Sequence, residues 1–317
     1  MINVLITSFG SNTSIGIAKC IKDNCFVLGT DSNLFYQCNG YSFADKLEFL
    51  PYYNHNNYEK DLLLLVEKYD INCIIPIHDK EIEIISKMIS KGILQNIKVA
   101  VNSYEIIKLC NDKYKINSVL KDIVKVPCVY QNINDIKEYP VIIKENDGVS
   151  SNNINIANNK KEIEAIDLDN KLIQQFVEGD EVTVDCYTSY VNPEGFYYSV
   201  RKRIETKAGM SVKSEIIDYP EIGEYCKKIH KKLNYKGVSN IQFIIKDNKA
   251  YFIEINPRFA GAGILTYKSG YNFPLMTIEE LYNNKIKYPE QLQIGNKMVR
   301  YYEETFFDES NHRIRPR

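Results

Sequence analysis

Residues 240–256 constrain this chain more than any other stretch. Two arms, Asn240-Ile241-Gln242-Phe243-Ile244-Ile245 and Ala250-Tyr251-Phe252-Ile253-Glu254-Ile255-Asn256, alternate with the two-residue period of a strand. Between them Lys246-Asp247-Asn248-Lys249 has the composition of a turn, so an antiparallel hairpin is expected. Centred near Asn248, it sets Gln242 opposite Glu254 and Asn240 opposite Asn256. Positions 240, 242, 244, 252, 254 and 256 then share one face. Positions 241, 243, 245, 251, 253 and 255 form an apolar face that packs inward. The first face lines up a carboxylate, a Gln amide and two Asn amides, with Arg258 just beyond. A buried polar group without a partner costs roughly 1–3 kcal/mol, so packing alone does not favour such a row. Clustered oxygen ligands suit a hard cation such as Mg²⁺, and an arginine fork suits phosphate oxygens. The alternative is the solvated outer face of an edge hairpin.

The first hundred residues alternate short apolar runs with helical stretches. Residues 2–7, Phe26 to Thr30, Ile71 to Ile77 and Val99 to Val101 read as strands. Ser14 to Lys22, Tyr58 to Tyr69 and residues 81–91 read as helices. That order implies an open parallel sheet with helices on its faces. Gly10 after the first strand and Asp31 at the end of the second loosely resemble a dinucleotide site. The turn lacks the G-x-G-x-x-G glycines that let backbone approach a pyrophosphate, which argues against nicotinamide binding.

Farther on, Asn111 to Asp122 reads as a helix and Tyr139 to Lys144 as a strand ending in a lysine. Residues 145–153 form a polar loop of small residues before a returning strand, Ile154 to Ile156. Such a loop can lay backbone N–H groups and hydroxyls over phosphates, or can be a plain surface hairpin. Lys171 to Phe176, Val182 to Tyr187 and residues 196–203 read as strands, and Glu221 to Leu233 as an amphipathic helix.

Lys and Arg total 40 against 41 Asp and Glu, a net charge of −1, which argues against a nucleic-acid binder that relies on a strong overall positive field. No apolar run is long enough for a transmembrane helix. The apolar start, Met1 to Phe9, lacks a basic lead-in and a cleavage site and reads as a first strand rather than a signal peptide. The 8 cysteines include no C-x-x-C pair and the 4 histidines are scattered, so no zinc pattern appears. Reduced thiols in a cytoplasmic protein are expected.

With these motifs in this order, the chain resembles the ATP-grasp superfamily, in particular carbamoyl-phosphate-synthase-like, stand-alone ATP-grasp proteins. The resemblance implies an α/β chain, α+β in its ATP-binding part. It implies an N-terminal pre-ATP-grasp domain over 1–102 with an open parallel sheet. A lid subdomain over 103–178 and a C-terminal antiparallel-sheet subdomain with the metal site over 179–317 would follow. It implies that Lys113, Lys144 and Arg258 meet the phosphates of ATP, and that Gly148 and Ser151 belong to a mobile lid loop. Gln174, Gln175, Phe176 and Val177 would form the hinge that reads adenine, and Glu181 would bind ribose hydroxyls. Gln242, Glu254 and Asn256 would hold Mg²⁺, with Mn²⁺ as a substitute. Arg258 and Lys144 would be the catalytic charges. Two departures stand out: Ser150 and Asn153 occupy lid positions where the family prefers Gly, and Gln174 replaces a common hinge Glu.

The implied activity is an ATP-dependent ligase joining a small-molecule carboxylate to an amine through an acylphosphate. A regulatory ATP-binding module or a phosphotransferase are the alternatives. No nucleic-acid or membrane partner is expected, and a homodimer is compatible with the reading. Candidate residues for the acceptor substrate are His78, Asp79, Arg201, Arg203 and Lys207. Arg201 and Arg203 alternate along one strand, so both forks share a face and could grip a carboxylate or phosphate.

Overall fold

A computed structural model describes residues 1–33, 35–147, 154–192, 194–282, 288–289, 291–310 and 313–314. The proposed lid residues Gly148 and Ser151 lie outside the described residues. The chain divides into two compact units, Met1–Val101 with Arg258–Arg317, and Asn102–Pro257.

In the first unit, strands β1 (Ile2–Ile6), β2 (Cys25–Asp31), β3 (Lys46–Phe49), β4 (Cys73–Ile75) and β5 (Lys98–Val99) form a sheet in the order β3-β2-β1-β4-β5. All its pairings are parallel, as the strand–helix alternation requires. Helices α2 (Tyr58–Lys68) and α3 (Asp79–Ser90) bury Leu62, Leu65, Ile85 and Met88 against Leu5, Leu28 and Ile74. Helix α1 (Asn12–Ile21) starts where the Ser11 hydroxyl accepts the Ser14 N–H at 3.2 Å. No helix among the described residues is long and apolar enough to cross a membrane.

The helix expected over 111–122 is α5 (Lys113–Leu120), and a separate helix, α4 (Tyr104–Asn111), precedes it. Asp112 breaks them apart. Its extended backbone ends α4, and its carboxylate accepts the Lys115 N–H at 3.0 Å to cap α5. Beyond α5 come β6 (Val129–Tyr130), β7 (Val141–Glu145), β8 (Asn155–Ala157), the short helix α6 (Lys160–Glu164) and β9 (Lys171–Gln175). They build an antiparallel sheet in the order β6-β9-β7-β8 over a small core of Val141, Ile143, Ala157, Ile163 and Ile173.

The second sheet of this unit contains β10 (Asp180–Thr188), β11 (Phe196–Lys207), β12 (Met210–Ile217), β13 (Gly237–Lys246) and β14 (Lys249–Asn256). Within the unit they run antiparallel in the order β14-β13-β10-β11-β12. Helix α7 (Pro220–Leu233) covers one face, and Val182, Val184, Cys186, Ile241, Phe243 and Phe252 pack there with Ile222, Cys226 and Ile229. From α7, His230 bridges Thr188 Oγ1 and Ser239 Oγ, each at 2.7 Å, and burial pushes its pKa down to about 3. A neutral imidazole thus clamps helix to sheet.

The β13–β14 hairpin forms as expected, with one correction. Its turn is the two-residue Asp247-Asn248, both left-handed (φ 49° and 57°), the geometry that matches strand twist. Near this turn the register pairs Phe243 with Phe252 and Ile245 with Ala250, one position off a hairpin centred on Asn248. A bulge between Gln242 and Phe243 leaves Ile253 as the extra residue and restores the pairs Gln242–Glu254 and Asn240–Asn256. Phe252 therefore lies on the core face, and the expectation that it shares the polar face with Glu254 does not hold. The cause is packing: Phe252 and Ile255 are both core residues, and a three-residue spacing reaches one face of a strand only through a bulge. Phe252→Ala is expected to cost about 3–5 kcal/mol in urea denaturation. Ile253→Ala, at the half-buried bulge residue, is expected to cost less than half of that; equal losses would contradict the switch of faces.

Candidate active site

Opposite the α7-covered face, the same sheet is polar. Alternation along β10 turns Thr183 and Asp185 away from the core that holds Val182 and Val184. The register then builds rows across four strands. Glu254 stands opposite Gln242, Gln242 opposite Thr183, and Thr183 opposite Arg201. In the neighbouring row Asn256 faces Asn240, Asn240 faces Asp185, and Asp185 faces Ser199. Asn256 Nδ2 donates to Glu254 Oε1 at 2.9 Å and to Asn240 Oδ1 at 3.3 Å, which holds the carboxylate within the amide row.

The lysines arrive from other elements. Asn146, just after β7, accepts the Lys113 N–H at 3.2 Å and, through Oδ1, the Tyr114 N–H at 2.9 Å. Its Nδ2 donates to Asp112 Oδ1 at 3.1 Å. These bonds dock the first turn of α5 against the end of β7, where Lys144 sits. Lys113 and Lys144 are both buried. Burial pulls the Lys144 pKa down to about 8; the Glu254 carboxylate pushes it back up, and the Lys113 ammonium pushes it lower. Lys113 and Lys144 thus form one electrostatic group with Glu254, which lies more than a hundred residues farther along the sequence. Among the described residues no cluster of three or more His, Cys, Asp or Glu side chains is placed to hold a metal. One carboxylate flanked by amide oxygens is instead a set of hard donors that fits Mg²⁺ rather than a thiolate- or imidazole-seeking metal.

The remaining expected residues are placed as follows. Gln174 is buried at the end of β9 with its amide directed at the Pro127 carbonyl, 3.4 Å away. The Gln175 N–H donates to Cys128 O at 2.8 Å, the Phe176 N–H to Pro140 O at 3.4 Å, and Val177 is buried. Residues 174–176 are thereby tied to neighbouring loops. At Gly179 a Cβ would lie 2.2 Å from the Ile245 carbonyl oxygen, so only glycine lets the chain enter β10 there and bring Glu181 into the sheet.

Glu181 is ion-paired with Arg203, whose Nη2 also donates to Gly209 O at 2.7 Å. Arg201 is fully buried and makes a fork with Asp185 at 2.6 and 2.8 Å. Both arginines share a face as expected, and each holds an internal carboxylate, because a buried guanidinium without a counter-ion is too costly. Lys207 is exposed at the end of β11, opposite Met210. In the first unit Arg258 Nε donates to Asp79 Oδ1 at 2.8 Å, and His78 caps α3 by accepting the Lys80 N–H on Nδ1 at 3.2 Å. Sequence reasoning missed Asp185 as a partner of Arg201. The signal was there, since Glu181, Thr183 and Asp185 alternate with Val182 and Val184 along β10 and fall on one face.

The family model for the ATP-grasp domain matches residues 110–262. Over 168 residues the chain is 27% identical to D-alanine–D-alanine ligase of Fusobacterium nucleatum, a match covering 46% of this chain and 55% of the ligase. Over 288 residues it is 25% identical to the carbamoyl phosphate synthase large chain of Clostridium acetobutylicum, covering 80% of this chain and 26% of that one. The chain thus spans about half the length of the first relative and a quarter of the second. Among solved structures, the biotin carboxylase domain of Hydrogenobacter thermophilus 2-oxoglutarate carboxylase, in complex with MgADP, ADP and bicarbonate, matches with a TM-score of 0.75 at 15% identity. That match covers 93% of this chain and 73% of the other and bears on the fold alone. The expected α/β architecture is that of the solved structure, and residues 110–262, just under half of the chain, match the ATP-grasp domain.

Proposed function

We propose that the protein is an ATP- and Mg²⁺-dependent ligase that joins a carboxylate to an amine. The observation that carries this reading is the electrostatic group of Lys113, Lys144 and Glu254 beside the amides of Gln242 and Asn256. Phosphoryl transfer asks little covalent chemistry of a protein and depends on charge neutralisation and positioning. Lys113 and Lys144 would bind phosphate oxygens, with Arg258 as a further cation. Gln242, Glu254 and Asn256 would hold Mg²⁺ or Mn²⁺, which when bound neutralises polyphosphate charge. Gln174, Gln175, Phe176 and Val177 would read adenine, Glu181 the ribose, and the loop with Gly148 and Ser151 would exclude water. The D-alanine–D-alanine ligase relative supports the choice of a carboxylate and an amine as substrates.

In the first step a substrate carboxylate oxygen attacks the γ-phosphorus and the bond to the bridging oxygen breaks, so ADP leaves. In the second the amine nitrogen attacks the acyl carbon, the carbon–oxygen bond to phosphate breaks, and the nitrogen loses a proton. Lys113, Lys144 and Arg258 would stabilise the charge on the transferred group; none of them needs to move a proton.

The test is ADP release with and without pooled amino acids, with mass spectrometry of the products. Amino-acid-dependent ADP together with a new amide is expected, and Glu254→Ala should lower turnover by roughly 10²–10³. Stoichiometric ATP binding without ADP would instead identify a binding module, and ADP with a phosphorylated product but no amide a phosphotransferase.

The Lys144 ammonium also gives nucleotide binding a pH dependence. With a pKa of about 8 in the free protein, Lys144 is charged below that pH and increasingly neutral above it. Polyphosphate favours the ammonium, so the bound protein holds more protons than the free protein between about pH 8 and the ordinary lysine value near 10.4. Affinity is therefore expected to fall as pH rises through about 8. Calorimetry at about pH 8.5 in buffers of different ionisation enthalpy should register proton uptake that Lys144→Arg, always charged, does not show.

A further inference from the structure

Two arginines of β11 hold carboxylates of β10, and the two pairs are built differently. The Arg201 and Asp185 side chains are each 2% exposed, and two guanidinium nitrogens meet two carboxylate oxygens. Arg203 and Glu181 are unequal. The arginine side chain is 8% exposed and the glutamate 41%, so the cation lies inside and the carboxylate emerges at the surface. One nitrogen, Nη1, meets one oxygen, Oε1. Among the described residues the other oxygen of Glu181 has no hydrogen-bond partner.

The far side of the guanidinium is seated on backbone. Nη2 donates to Gly209 O at 2.7 Å, and Gly209 follows Ala208 in the left-handed turn (φ 74° and 47°) that joins β11 to β12. The β11–β12 ladder slips between Arg203 and Glu205, immediately after the arginine. Such an irregularity bends a strand and re-aims its side chains. A tight turn thus fixes one edge of the fork, and the other edge fixes Glu181.

Stability does not account for this seat. Arg203 Nε and the hydroxyl of Ser214, the residue opposite it on β12, are both buried without a hydrogen-bond partner among the described residues. Orphaned buried groups oppose folding, and an ion pair with one end in water returns little. What the arrangement does provide is order. A glutamate side chain that emerges from a sheet has several rotamers to lose when it meets a ligand, and a group already held in one of them binds with less entropic cost.

We propose that Arg203 is a positioning residue that holds the Glu181 carboxylate in place to accept the ribose hydroxyls of the nucleotide. The proposal rests on the reading of Glu181 as the ribose acceptor. The test is titration calorimetry of the whole chain in excess Mg²⁺ with ADP and with 2′,3′-dideoxy-ADP, which lacks both hydroxyls. The quantity read is the preference for ADP, in which effects of Arg203 on phosphate charge cancel. A wild-type preference of about tenfold is expected, as charge-assisted hydrogen bonds allow. Arg203→Lys keeps the charge and loses the two-edged fork, and it should reduce the preference to about twofold. Arg203→Met should do the same while Tm measurements show both variants folded. In a Glu181→Gln background, Arg203→Lys should reduce the preference no further. A preference that survives both substitutions, or one that falls further in the double variant, would overturn the proposal and leave the ribose role of Glu181 standing. Equal wild-type affinity for the two nucleotides, or saturable binding of neither, would overturn the nucleotide reading of Glu181 and the proposal with it.

Discussion

A single extra residue in β14 lets one strand belong to the core and to the candidate site at once. Phe252 and Ile255 pack beneath the sheet with Phe243 and Ile241, while Glu254 and Asn256 face Gln242 and Asn240 on the other side. Strict alternation cannot satisfy both demands, because Phe252 and Glu254 are two apart and would share a face. The bulge at Ile253 separates them. Every row of the polar face then follows from register: once Glu254 is opposite Gln242, Thr183 and Arg201 fall into line through β10 and β11.

That polar face is held together by charge pairing. Arg201 and Asp185 are almost wholly withdrawn from water, and breaking such a pair typically costs about 3–5 kcal/mol because the remaining charge is left uncompensated. Their mutual bond occupies both groups and stiffens the rows beside the candidate metal ligands. Lys144 differs. Its burial is opposed by one carboxylate, Glu254, and aggravated by the nearby Lys113, so the ammonium is held below its ordinary pKa. A site in this condition is not at its electrostatic optimum alone, and an anionic ligand relieves it. Arg201 and Asp185 form a directly bonded pair, whereas at Lys144 burial outweighs the opposing pull of Glu254.

Much of the arrangement was legible in the chain. The strand–helix alternation of the first hundred residues led to the parallel sheet, because only helical crossovers connect parallel neighbours. The pairs Gln242–Glu254 and Asn240–Asn256 were read correctly from a hairpin centred on Asn248, although the turn lies half a residue earlier and the bulge makes up the difference. The faces near the turn were misread for that reason. Asp112 was read inside one helix boundary and proved to be a break, since an aspartate that caps the next helix must leave helical geometry itself. Arg201 and Arg203 were seen to share a face, but their partners Asp185 and Glu181 lie on another strand.

By itself, then, the sequence determined what is local and periodic: which segments are strands or helices, which residues share a face, where a lysine ends a strand and where a carboxylate stands among amides. These follow from backbone geometry and side-chain alternation, which act over a few residues. Tertiary structure alone decided which strands beyond that hairpin stand side by side and in what register. It thereby brought Lys113, Lys144 and Glu254 into one group and committed the two arginine forks to Asp185 and Glu181. Electrostatic and hydrogen-bond energies depend on distances between residues far apart along the chain, and those distances exist only once the sheets have formed.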